Sequence, residues 1–239
     1  MTPTDESTLR CVHCLRPITE NSDDHVFPAS WYPDDTPQQV QRWKAPSCSA
    51  CNGTLGKIEK ELLLRLGICI DPATAQAAGI SAKVLRSLGV GGAGKSEKER
   101  TLRAKTKARI LRELIPYDDV KGNPGILPGF GPHAGFADEE QHAILVSHES
   151  LVAVAQKVVR GSEYVVARRY IEPPYTTRTF FADQTSEIVA LFANAQNRNL
   201  GPGFQILRMA AAEDPNVVLY RGLIWGKFVF NTVIDIHRD

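Results

Sequence analysis

The sequence predicts an α+β chain in three parts: a small cysteine-framed module, a helical middle, and a mixed region with a small, mainly antiparallel sheet. Three observations carry this. Two C-x-x-C pairs, Cys11/Cys14 and Cys48/Cys51, bracket a turn-rich stretch with little apolar periodicity of its own. From Lys57 onward, apolar residues recur at helical spacing. Past Glu163, runs rich in Val, Ile and Phe alternate with turn signals. The boundaries fall at 1–70, 71–136 and 137–239, the last part being assigned to target or partner selection.

Residues 1–10 are a polar tail. Residues 11–52 are punctuated by Pro17, Pro28, Pro33, Pro37 and Pro46 and need a staple. Lys57–Leu66 predicts a helix stopped by Gly67. Asp71-Pro72 predicts the start of a second helix running to Leu88, and Gly89–Gly94 a break. Lys95–Glu113, dense in Lys and Arg, predicts a third helix ended by Pro116. The Gly- and Pro-rich span 116–136 predicts a linker. Beyond it, 138–160 predicts helix in one or two pieces, and Glu163–Ile171 and Thr177–Ala182 predict strands. Ser186–Gln196 predicts helix, and Phe204–Ala211 and Leu223–Ile234 predict strands.

The composition is that of a globular protein: 239 residues, 43% hydrophobic and 23% charged. A net charge of +1 singles out no partner class. No apolar run reaches membrane-span length, and the polar start shows no signal peptide. The five cysteines are an odd number in paired spacing, which favours metal over disulfides. A reducing, cytoplasmic setting is the default expectation.

Each C-x-x-C turn can present two thiolates to one ion. Four such soft ligands, Cys11, Cys14, Cys48 and Cys51, suit a structural zinc and leave no open position for catalysis. His13, inside the first pair, is expected at the surface. Cys69 is expected to be a buried apolar residue.

Between the pairs lies Asp23-Asp24-His25-Val26-Phe27-Pro28, and Asn52 follows Cys51. C-x-x-C, Asp-His-x-x-Pro, then C-x-x-C-Asn resembles the HNH, or ββα-metal, endonucleases over roughly residues 11–66. The resemblance implies a zinc-stapled ββα module that hydrolyses phosphodiesters in DNA. His25 takes the general-base role, which an imidazole suits because its pKa lies near working pH. Asp24 and Asn52 are implied as oxygen ligands of a divalent ion, Mg²⁺ or Mn²⁺. The zinc would clamp the Asp24-His25 strand against the helix that starts near Asn52. The family's middle Asn is missing from Gln41–Ser47, where Gln41 is the available substitute. Restriction or defence against foreign DNA is the context by analogy.

Other residues have plainer readings. Asn52 could cap the helix. Asp23 is a neighbour of the site, and Glu59 and Glu61 are helix-surface carboxylates, one of which could approach the metal. Trp31 and Trp43 are packing residues. Lys57, Arg100, Arg103 and Lys107 are candidates for holding a polyanion. RNA stays open as a substrate, and a homodimer is open because duplex cutting by one-site nucleases often needs two copies. Two alternatives remain: a zinc-dependent nucleic-acid-binding module with a decayed site, and a nucleotide-responsive regulator. The latter rests on Gly89–Ser96, which matches the phosphate-loop pattern but lacks a preceding strand.

Overall fold

The structure is a computed structural model and describes residues 9–18, 22–89, 96–123, 125–131, 136–181, 190, 192 and 195–236. Among them are helices and three antiparallel sheets, an α+β fold. No helix among the described residues is long and apolar enough to cross a membrane.

β1 (Asp23–His25) and β2 (Lys44–Pro46) form a two-stranded ladder with Asp24 opposite Ala45. α1 (Ser49–Ile68) follows at once, so the front module runs strand, strand, helix. The helix starts at Ser49, close to the Asn52 start that the resemblance implies and well before Lys57, where the apolar spacing begins. Gly53 and Gly56 depress local helix propensity, but the Cys48 sulfur caps the helix by accepting the Cys51 N–H at 3.5 Å. Gly67 does not stop it either. A Cβ there would lie 2.7 Å from Val84, so Gly67 serves close packing.

The helix expected from Asp71-Pro72 begins late. A turn and a short 3-10 piece (Ala75–Ala77) precede α2 (Ile80–Leu88). Gly79 at φ +77° separates the two, a conformation glycine adopts without steric cost. α3 (Glu97–Arg112) is capped by Ser96, whose hydroxyl accepts the Glu99 N–H. Glu61 joins α1 to α3 through Arg109 at 2.7 Å and pairs with Arg65 of its own helix, also at 2.7 Å.

The expected linker is partly structured. β3 (Leu114–Pro116) pairs with β4 (His142–Ile144), and Tyr117–Asp119 form a 3-10 turn. α4 (His148–Ala167) starts later than 138 and continues through Glu163, where a strand was expected. The Tyr164-Val165-Val166 run has strand propensity, but burial of Val158, Val159, Ser162 and Glu163 on one helix overrides it.

Five strands make the large sheet: β5 (Tyr175–Phe180), β6 (Gln196–Asn199), β7 (Phe204–Ala210), β8 (Val217–Ile224) and β9 (Phe228–Ile236), in the order β5-β9-β8-β7-β6. The run Leu223–Ile234 is therefore a hairpin, not one strand. Trp225 (φ 55°) and Gly226 (φ 67°) turn it, closed by the Lys227 N–H on the Ile224 carbonyl at 3.1 Å. The helix expected over Ser186–Gln196 lies largely outside the described residues, and Gln196 itself opens β6.

α4 packs against α1 and β2 as well as β5 and β9, and so joins the front module to the sheet. The two share aromatic contacts. Phe27 lies 4.6 Å from Phe204, and Trp31 lies 4.9 Å from Trp225. The Trp225 indole also donates to the Trp31 carbonyl at 2.7 Å.

Candidate functional site

The four paired cysteines converge: their sulfurs all lie within 4.8 Å of one another. Cys14 and Cys48 sulfurs are 3.8 Å apart. Zinc–sulfur bonds of about 2.3 Å at tetrahedral angles need sulfur–sulfur edges of about 3.8 Å. Local backbone builds this cradle. The Leu15 N–H bonds the Cys11 carbonyl at 2.8 Å, Leu15 takes φ 62°, and the His13 N–H points at the Cys11 sulfur. Cys48 and Cys51 sit at the α1 N-terminus, where the helix dipole favours negative charge. Burial pushes the Cys51 thiol up, and neighbouring Cys48 and Cys14 add to it. Burial opposes ionising Cys11 too, but backbone amides around it outweigh that and bring it to about 7. Sulfurs so crowded cannot all ionise without a cation among them. This donor set fits zinc.

The cradle fixes a hairpin that carries the polar candidates. Val12 N–H reaches the Pro46 carbonyl, and Ser47 N–H the Ser22 carbonyl, both at 2.9 Å. Successive strand residues face opposite sides. Asp23 is exposed, Asp24 points into the protein, and His25 is half-buried on the outer side. The structure thus does not bring the His25 and Asp24 side chains onto one face. Burial, aided by the positive charges of Lys44, Lys157 and Arg42, lowers the His25 pKa against the opposing pull of Asp24. The shift favours the neutral form of the ring, the form that can accept a proton.

Asp24 is 8% exposed and is met by Lys157 from α4. The Lys157 ammonium lies 3.0 Å from Asp24 Oδ1 and 2.9 Å from Oδ2, and it also binds Glu59. Lys157 is itself 2% exposed. Asp24 Oδ2 is close to the ammonium but accepts no hydrogen bond among the described residues, and the His13 Nε2 stands 3.7 Å away. Burial would raise Asp24, but His13 and Lys157 outweigh it and hold the carboxyl below its ordinary range. Burial raises Glu59, with Lys157 opposing. Gly161, one turn after Lys157, makes this approach possible: a Cβ there would lie 2.8 Å from Val26.

Several expectations change here. His13 is not a surface residue; its side chain is 7% exposed and faces Asp24. Glu59 is not a surface carboxylate but a partner of Lys157. Glu61 instead ties α1 to α3. Asn52 does not cap α1, because Cys48 does; it lies in the first turn, half-buried, with no side-chain hydrogen bond among the described residues. Cys69 is half-buried, and burial lifts its thiol to about 11. Trp31 is fully buried, its indole donating to the Glu59 carbonyl, and Trp43 packs on the core. Gln41 is exposed; the loop is held instead by Val26 N–H on the Trp43 carbonyl and by Arg42 over the Tyr32 ring.

The basic candidates do not form one patch of free charge. Arg100 pairs with Glu97, and Arg103 pairs with Glu99 while donating to the Arg86 carbonyl. Lys57 and Lys107 are exposed and make no ion pair among the described residues. The core of the glycine loop, 90–95, lies outside the described residues, and helix α2, not a strand, leads into it.

Lys157 is the residue sequence reasoning missed. Its signal was present: a lone lysine at the i+3 position from Val154 and one before Val158, on the apolar stripe of α4. No family model matches the chain, and no curated protein or solved structure matches it either.

Proposed function

We propose that the front module is a nuclease site that hydrolyses phosphodiester bonds in DNA, with His25 as general base. The observation that carries this is the placement of His25: half-buried and presented on a hairpin beside the cysteine cradle at the start of α1. His25 would accept a proton from water as the water oxygen bonds to phosphorus. The bond to the leaving oxygen breaks, and that oxygen takes up a proton from solvent.

Asp24 and Asn52 offer hard oxygen donors of the kind magnesium and manganese take. Asp24 Oδ2 already faces the Lys157 ammonium at 2.9 Å, and a carboxylate oxygen so placed still has a second lone pair for such an ion. When bound, the ion would neutralise charge that builds on the phosphate, which requires the phosphate to reach past β1, because Asp24 and His25 face opposite sides. Exposed Lys57 and Lys107 would steer the polyanion.

A second reading has its own support. Asp24 is already neutralised by Lys157, and Gln41 is exposed where the middle Asn of the resembled family would stand. These favour a zinc-held nucleic-acid-binding module without catalysis. Plasmid cleavage in Mg²⁺ and in Mn²⁺ separates the two. Wild type is expected to nick or linearise DNA, and His25→Ala to lose about 10²–10⁴-fold in rate. A folded, zinc-loaded wild type that leaves plasmid, single-stranded DNA and RNA intact would overturn the nuclease reading.

A further inference from the structure

We infer that Lys157 is a built-in counter-cation that competes with a divalent ion for Asp24, so that α4 sets the ion affinity of the site. This rests on the reading of Asp24 as a metal ligand and adds a residue outside the cysteine-framed module.

The geometry carries it. The Lys157 ammonium sits between two carboxylates from different elements, Asp24 on β1 and Glu59 on α1. It lies within 3.0 Å of both Asp24 oxygens. A divalent ion bound to the same carboxylate would stand within a few ångströms of this ammonium. The two cations repel strongly in so dry a setting. Other charged or titratable groups here are Glu59 and His13, the latter 3.7 Å from Asp24 Oδ2. His25 projects from the other side of β1.

The arrangement is built, not incidental. A lysine with its ammonium buried is costly unless paired. α4 spends a core position on it, between Val154 and Val158. Gly161 removes the Cβ that would hold α4 away from Val26. One ammonium faces both Asp24 oxygens, at 3.0 Å and 2.9 Å, and a carboxylate has more lone pairs than this single partner uses. Lys157 therefore satisfies the charge of Asp24 without exhausting its lone pairs. Ion entry requires the ammonium to turn fully to Glu59 or α4 to shift.

Titration of Mn²⁺ into the zinc-loaded full chain tests this, with free Mn²⁺ followed by its electron paramagnetic resonance signal. Lys157→Met is expected to bind Mn²⁺ about tenfold tighter than wild type or more. Lys157→Gln, which keeps a hydrogen-bonding group for both carboxylates, is expected to do the same and covers the case in which Lys157→Met does not fold. Lys157→Arg restores the charge and should return binding to the wild-type level. Adding Asp24→Asn to either neutral variant should abolish the gain. Unchanged affinity in the neutral variants, with binding still lost on Asp24→Asn, overturns the role of Lys157 and leaves the metal site standing. Mn²⁺ binding that is absent from every variant, or indifferent to Asp24→Asn, overturns the role of Lys157 and the metal-site reading together.

Discussion

The front module and the five-stranded sheet reach order by opposite means. β1 and β2 are three residues each and hold few ladder bonds, so the cysteine cradle must hold the hairpin to α1. β8 and β9 are eight and nine residues long, pair along their whole length, and bury Val218, Tyr220, Phe228, Phe230 and Ile234. The difference teaches where each is vulnerable. Metal binding at the four cysteines is expected to govern the first, and packing the second.

Zinc removal should give the largest effect. Structural zinc contributes on the order of 10 kcal/mol to the folding of small modules. Stripping the metal, or Cys48→Ser, is expected to expose the backbone amides of 11–18 and 44–52 to hydrogen exchange. The amides of β7, β8 and β9 should keep their protection. Loss of protection in both regions at one zinc concentration would break the comparison and make them a single cooperative unit.

Such a merger has a structural route in the aromatic contacts between the two regions. Trp225 is fully buried in a left-handed turn, its ring tilted against Trp31 and its indole N–H bonded to the Trp31 carbonyl. Trp225→Ala is expected to cost about 3–5 kcal/mol by thermal or urea unfolding. If the regions unfold separately, Trp31→Ala should destabilise the front module first, and two transitions should become visible.

How much of this was legible depends on the range of the interaction. The cysteine cradle was written in local spacing, because a C-x-x-C turn is fixed by a few consecutive residues. So was the strand at β7. The α1 start was legible near Asn52 only through the resemblance; the apolar spacing begins at Lys57, because a sulfur does the capping that hydroxyls and carboxylates usually do. The β8–β9 hairpin was missed because its turn carries a tryptophan at positive φ, which only the contact with Trp31 explains. Glu163 read as strand because its helical state is secured by partners on other elements. Lys157, 133 residues from Asp24, is the extreme case.

Glu163 sharpens the comparison by acidity. It is fully buried and is held by Arg208, Arg169 and Tyr220. Burial alone would raise it, but these partners keep its carboxyl below the ordinary 4.5. A depressed folded-state pKa stabilises the fold above the unfolded value, and that stability is lost as pH falls through the folded one. Glu163→Gln is expected to cost about 3 kcal/mol at pH 7, since two arginines lose their buried partner. The gap from wild type should close below pH 4.5. A gap independent of pH would mean that shape, not charge, is what the sheet requires of this residue.

The smallest effect should come from Gly161→Ala, and it bears on both regions at once. In a helix interior, alanine is worth about 1 kcal/mol more than glycine. Against that, the new Cβ would meet Val26 Cγ2 at 2.8 Å and Cγ1 at 3.2 Å. Val26 is buried, and its N–H is fixed on the Trp43 carbonyl, so the side chain has little room to yield. Overpacking of this kind costs about 1–3 kcal/mol, which outweighs the gain in propensity. A modest net destabilisation is therefore expected, measured by urea unfolding. Because Lys157 lies one turn away on the same face, the lifted helix should also draw the ammonium back from Asp24 and tighten Mn²⁺ binding. Lower stability together with tighter binding would tie the two regions through α4. Lower stability with binding unchanged would leave Gly161 as packing alone.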